Sequence, residues 1–333
     1  MDKLATVFQA HLCTAFGDYR NLTVSELPLP RLSHDEVLVR NQAFAIGFPD
    51  ILTVQGKHQR KPTLPFVPGS EFCGEVASLG EGVGQFRVGD LVMGTVLIGA
   101  YAEMVVVSAQ NCLPLPNKFD AVHGAAFQTA YKTAYVGLVE RGNLKFGETL
   151  LVHGAAGGVG LAAVELGKVL GAHVIATAST AAKLEVAAAN GADHLINSAD
   201  GSFRDAVKDL TGGRGADVIF DPVGGDIFDE STHCIAPFGR LLVVGFAGGR
   251  IPTIAANYPL LKQISIVGVR AGEFGRVDPV GGQRVNEALL ELADTDKLHP
   301  HIHAELRFDE VERGLDEISA RSVTGRIVVL APQ

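Results

Sequence analysis

The sequence predicts an α/β chain, a mostly-β part followed by a doubly wound parallel-sheet domain. Three observations predict it. The apolar run Leu150-Leu151-Val152-His153 breaks into Gly154-Ala155-Ala156-Gly157-Gly158-Val159-Gly160, and a helical pattern follows at once. From about residue 120 strand and helix patterns alternate, which means a parallel sheet with right-handed crossovers. Before residue 120 short apolar segments lie between glycines and prolines such as Pro28, Pro30, Pro62, Pro65, Pro68, Pro114 and Pro116, which exclude long helices.

In order, Glu36 to Asn41, Glu71 to Leu79 and Asp90 to Met93 read as strands, with Gly80, Gly82, Gly84 and Gly89 turning between the later two. Asp120 to Val139 reads as helix. After the glycine turn, Val159 to Leu170 is a helix that Gly171 ends, and His173 to Ala178 is the next strand. Strand, turn, helix and strand fit the roughly 30 residues of a βαβ unit. Residues 216–220, 240–244 and 264–269 are further strands. The tail reads as helix 285–293, strand 302–308, helix 310–319 and strand 326–330. It is expected to pack back on the first domain, so that 1–120 completed by 271–333 form one domain, 121–270 form the other, and a cleft opens between them.

The turn carries chemistry. Glycine lets the backbone approach a pyrophosphate, and the N–H groups at a helix start favour an anion. Ala156, Gly157, Gly158, Val159 and Gly160 are therefore the expected phosphate contacts. An NAD site usually carries Asp or Glu at the end of the second strand to hold the ribose 2′-hydroxyl. Here that stretch is Thr177-Ala178-Ser179-Thr180-Ala181-Ala182-Lys183, without an acid. Ser179 and Lys183 suit a 2′-phosphate, so NADPH is expected rather than NADH. Gly245-Phe246-Ala247 and Val269-Arg270 follow two later strands, and ends of parallel strands line the ligand crevice.

The 333 residues can bury two ordinary cores. A net charge of −9 argues against nucleic acid or an anionic membrane as partner. No apolar run has transmembrane length, and Met1 to Thr6 lacks the charged and apolar parts of a signal peptide. Cys13, Cys73, Cys112 and Cys234 lie far apart, as reduced thiols of a cytoplasmic protein would.

Several ordered motifs then point to a family. Leu64-Pro65-Phe66-Val67-Pro68-Gly69-Ser70-Glu71, Gly80-Glu81-Gly82-Val83, Val88-Gly89-Asp90, Gly147-Glu148-Thr149, Gly191-Ala192-Asp193 and Asp221-Pro222-Val223-Gly224-Gly225 span nearly the whole chain. With them the chain resembles the medium-chain dehydrogenase/reductase superfamily, in particular its zinc-free NADPH:quinone oxidoreductase branch, which includes zeta-crystallin. The resemblance implies a GroES-like mostly-β catalytic domain beside a Rossmann domain. It implies Thr133 against the nicotinamide, Val223 along the cofactor, Arg321 at the 2′-phosphate, and Ser198 where many relatives carry tyrosine.

Zinc-dependent relatives use an early cysteine and a Gly-His-Glu stretch. Here Ile46-Gly47-Phe48-Pro49-Asp50 has no cysteine, and Gly69-Ser70-Glu71 carries serine in place of the histidine. His299, His301 and His303 alternate faces at a strand entry, so no zinc site is expected. Reductase relatives also place asparagine near Gly47 and tyrosine near Leu52. Both are missing, which makes the pocket floor more apolar.

The resemblance implies hydride transfer to a quinone or to the β-carbon of an α,β-unsaturated carbonyl. Tyr131, Lys132 and Arg270 are the expected donors to the substrate oxygen, with Asp50 and His58 behind them. Other readings are an enoyl-CoA-type reductase and a protein that binds NADPH with little turnover. A zinc-free sensor or membrane-associated relative would need an extra segment, and none is visible. Relatives pair through the last strand of the cofactor sheet, so a homodimer through 264–269 is expected.

Overall fold

The structure, a computed structural model, describes residues 6–332. Met1 to Ala5, most of the stretch read above for a leader, lie outside the described residues. The chain divides into two units, one of residues up to 128 with those from 302 onward, the other of 129–301.

The first unit begins with a hairpin of β1 (Val7–Leu12) and β2 (Thr23–Pro28). Then come β3 (Glu36–Ile46), the short helix α1 (Phe48–Val54), β4 (Glu71–Leu79), β5 (Leu91–Thr95), β6 (Met104–Ser108) and β7 (Cys112–Pro114). The boundary at 128/129 falls inside α2 (Ala121–Tyr135). This helix runs on as a π-helix over Val136–Arg141, where the sequence suggested ordinary helix to Val139.

The second unit alternates β8 (Thr149–Val152), α3 (Gly158–Val169), β9 (His173–Ala178), α4 (Ala181–Ala189), β10 (His194–Asn197), α5 (Phe203–Leu210), β11 (Ala216–Asp221), α6 (Gly225–Ser231), β12 (Ile235–Val243), α7 (Asn257–Lys262) and β13 (Ser265–Gly268). The strands lie in the order β10-β9-β8-β11-β12-β13, all parallel. This is the Rossmann order, with its reversal between β8 and β11. All six residues of β11 are buried, as expected of a strand covered on both faces. Leu151, Ile175, Ile219, Leu241 and Phe203 form its core.

Two helices, α8 (Ala271–Val277) and α9 (Pro279–Asp294), follow. They correct the expected domain boundary, because residues 271–301 sit with the second unit. Gly275 and Gly282 let the two helices meet closely, since a Cβ on Gly282 would lie 2.8 Å from Gly275 Cα. Arg284 of α9 reaches Glu140 at 2.8 Å, and Val285, Leu289 and Ala293 are buried.

Only the last segment returns to the first unit, as β14 (Ile302–Arg307), α10 (Val311–Ser319) and β15 (Arg326–Leu330). β15 pairs antiparallel with β3, Ile327 opposite Ile46, and completes a seven-stranded sheet in which β6 also pairs with β3. Phe44, Phe72, Tyr101, Leu306, Ile327 and Val329 are among the apolar residues that fill this unit's core.

Candidate active site

The glycine turn sits at the carboxyl end of β8, at the switch point of the second unit's sheet. Gly154 adopts φ 56°, a left-handed conformation that disfavours a side chain. A Cβ on Gly160 would lie 2.2 Å from Gly154 O, so the helix can cross the strand end this closely only with glycine there. Gly157 caps α3 with no side-chain hydrogen bond. The first-turn N–H groups of Gly158, Val159 and Gly160 therefore receive no capping side chain, and they suit an anion. Ala156 is buried beneath them.

The neighbouring strand ends complete a cradle. Ser179 follows β9 and is exposed, and Ser198 follows β10, its N–H donating to Ala178 O at 2.9 Å. Thr180 caps α4 by accepting from Lys183 N–H at 3.3 Å, so Lys183 lies in that helix's first turn. On the other side of the switch point the loops after β11 and β12 are tied together. Ala247 N–H donates to Pro222 O at 3.1 Å and Gly248 N–H to Val223 O at 2.8 Å. Phe246 packs on Gly224, where a Cβ would come 2.9 Å from its ring. Asp221, overlooked as a contributor in the sequence, accepts from Val223 N–H at 2.8 Å and Gly224 N–H at 2.9 Å and so fixes the start of this loop. Burial raises its carboxyl above the ordinary range, against those two donors.

The structure thus brings together Ala156 to Gly160, Ser179, Lys183, Ser198, Val223 and Gly245 to Ala247 past the carboxyl ends of the strands of one sheet. Thr133 lies half-buried on α2, and Thr129 shares its face one turn earlier. Arg321 belongs to the first unit, just past α10, with φ 56°.

The four catalytic candidates fare differently. Tyr131 is 3% exposed, and its hydroxyl donates to Glu165 at 2.5 Å, which also accepts from His299 N–H at 2.9 Å. Its one hydrogen goes to a half-buried carboxylate that links α2 with the chain before β14. The expected donor role is corrected to a packing role. Asp50 is 5% exposed and accepts from Gly47 N–H at 2.8 Å and Tyr101 hydroxyl at 3.0 Å. It belongs to a buried cluster with Glu71 and Arg326, which form an ion pair, so contact with a substrate is corrected likewise. Lys132 is half-buried and desolvation lowers its pKa. Its ammonium lies near Gly275, where a Cβ would be 3.9 Å away. Arg270 caps α8, is exposed, and meets Glu273 only at 4.0 Å. His58 bonds locally to Arg60. Among the described residues no group of three His, Cys, Asp or Glu is placed to hold a metal.

With this geometry in hand, comparison with known proteins adds the following. Residues 33–117 match the alcohol dehydrogenase GroES-like domain family and 158–290 the zinc-binding dehydrogenase family. A quinone oxidoreductase-like protein 2 homolog of Nematostella vectensis is 38% identical over 98% of this chain and 90% of its own. A quinone oxidoreductase of Pseudomonas aeruginosa is 34% identical over 94% of this chain and 95% of its own. The native structure of mycobacterial Rv1454c complexed with NADPH superposes with TM-score 0.90 at 29% identity, over 97% of this chain and 99% of that one. The mostly-β unit is accordingly GroES-like and the parallel-sheet unit Rossmann-like.

Proposed function

The chain belongs to the quinone oxidoreductase family of the medium-chain dehydrogenases/reductases, and on that premise we propose that it is a zinc-independent, NADPH-dependent reductase of quinones or α,β-unsaturated carbonyls. The observation that carries this reading is the uncapped glycine turn at the sheet's switch point, beside a β9 end with hydroxyls and a lysine but no acid.

Bound NADPH would supply a hydride from its nicotinamide. The N–H groups of Gly158 to Gly160 would hold the pyrophosphate, and Ser179, Lys183 and Ser198 the 2′-phosphate. Thr133 or Thr129 would flank the nicotinamide, with Val223 and Gly245 to Ala247 along the cofactor's opposite side. Of the proposed oxygen donors, Lys132 and Arg270 keep hydrogens for a substrate. Conjugation in a quinone or enone spreads the developing negative charge, so one such donor suffices and no metal is required. Water can deliver the proton that completes a hydroquinone or saturates the α-carbon. Ser70 and Gly47, where zinc-dependent relatives place ligands, support a reaction without zinc.

We infer a homodimer through β13, which stands at the sheet edge and among the described residues pairs only with β12. Leu260 and Leu261 of the adjoining α7 are 75% and 74% exposed, an apolar cost that a second copy would remove. No described helix is long and apolar enough to cross a membrane. All four cysteines are buried free thiols, in keeping with a reducing, cytoplasmic setting.

The test is NADPH consumption with 9,10-phenanthrenequinone, 1,4-benzoquinone or a simple enone, with and without chelator. We expect turnover undiminished by chelator and a preference for NADPH over NADH. NADPH binding without oxidation across that panel would replace the enzyme with a cofactor-binding protein.

A further inference from the structure

Three segments of the second unit meet at one buried imidazole. His153 is the last residue before the glycine turn and is fully buried. Its Nδ1 lies 2.9 Å from Thr177 Oγ1 near the end of β9, and its Nε2 lies 2.8 Å from Ser231 Oγ at the end of α6. The direction of each bond follows from Ser231, whose hydroxyl donates its only hydrogen to Ile227 O at 2.6 Å. Ser231 must therefore accept from His153 Nε2–H. Nδ1 then carries no proton and accepts from the Thr177 hydroxyl. One neutral tautomer satisfies every partner, and burial, which pushes the pKa down to about 3, keeps the ring neutral.

The same residues hold the turn through the main chain. Ala155 N–H, inside the turn, donates to Thr177 O at 3.0 Å. Thr177 precedes Ser179 by two positions, and α6 begins at Gly225, directly after the Val223–Gly224 loop. The imidazole thus connects the start of the glycine turn, the end of β9 and α6, the helix that follows the Val223–Gly224 loop. Phe203 stands edge-on to the ring at 4.7 Å, and the ring is fully buried. An aliphatic side chain would fill such a space without the desolvation cost of a polar ring. What the ring adds is direction, two bonds that tie the relative placement of β8, β9 and α6.

We propose that His153 is a positioning residue, which through Thr177 and Ser231 sets the glycine turn and the end of β9 in the geometry that receives a dinucleotide, without touching it. This rests on the reading that NADPH occupies the turn.

The experiment uses Thr177→Val and Ser231→Ala, each of which removes one hydroxyl at little change in volume. Binding of NADPH is titrated by its fluorescence, and melting confirms that each variant is folded. Each substitution should raise the Kd about fivefold or more, and the double variant should be weakened by less than the product of the two, because both act through one ring. The loss should fall on Kd and KM for NADPH rather than on kcat. In parallel, a long-range ¹H–¹⁵N spectrum of the wild-type ring should show Nε2 protonated and Nδ1 bare near pH 7.

Folded variants that bind NADPH as the wild type does would overturn the proposal. So would a ring protonated on Nδ1, a result that needs no variant to fold. Failure of the wild type to bind NADPH would sink the functional reading itself, whereas equal binding by wild type and variants sinks only the role of His153.

Discussion

Asp50 carries a carboxyl into a buried cluster where its ordinary value no longer holds. Desolvation raises its pKa from 3.8 to about 6, against Gly47 N–H, the Tyr101 hydroxyl and Arg326, with Glu71 adding to the rise. Below about pH 4 the folded and unfolded chains both hold the proton, so nothing is lost. Between those two values the unfolded chain ionises while the folded one keeps its proton, and stability falls as pH rises through the window. Above it the cost levels off at about 3 kcal/mol for a shift of roughly two units. Asp50→Asn abolishes this titration, and its carbonyl oxygen can still accept from Gly47 N–H and the Tyr101 hydroxyl. The variant should gain up to about 3 kcal/mol over the wild type at pH 8 and gain nothing near pH 4. Urea unfolding at both pH values reads the difference, and a variant no more stable at pH 8 would refute the assignment. In the sequence Asp50 and Tyr131 look like site residues because their types and segments fit. Burial and partners, which lie 51 and 34 positions away, reassign both.

At the scale of elements, β8, the glycine turn and α3 were the most legible part of the chain. Glycine spacing there reports backbone geometry directly, through the left-handed Gly154 and the close crossing at Gly160. Gly160→Ala would push a methyl to within 2.2 Å of Gly154 O, a backbone atom that cannot step aside without moving the turn. We expect a loss of about 1–3 kcal/mol in stability, the range for overpacking, together with weaker NADPH binding. Melting and a binding titration check both, and an alanine variant that binds normally would show the crossing to be looser than the geometry requires. His153 lies in the same short run but gave no signal of its role. A buried histidine and a solvated one look alike in sequence, and its partners come from β9 and α6. The π-helical end of α2 was equally silent, since its apolar pattern also fits an ordinary helix.

At the scale of the molecule, the edge strand β13 and the exposed leucines of α7 make assembly testable. Leu260→Glu with Leu261→Glu alters only exposed side chains, so each chain should fold as before while the dimer falls apart. Sedimentation at micromolar concentration reads this, and a wild type already monomeric there would remove the dimer. The division of the chain shows where sequence reading stops. Strand and helix order and the parallel sheet follow from periodicity and turn residues, which are local, whereas the return of the last segment rests on β15 pairing with the distant β3. That α8 and α9 stay with the second unit follows from the Arg284–Glu140 pair and the approach of Gly275 to Lys132, contacts between distant positions. The sequence by itself therefore determined the fold class, the glycine turn and the missing acid at the β9 end, because each is written in neighbouring residues. Only the tertiary structure decided which polar side chains are spent inside. That depends on which segments meet, and burial then sets whether a hydroxyl, carboxyl or imidazole can reach a ligand or must hold its neighbours in place.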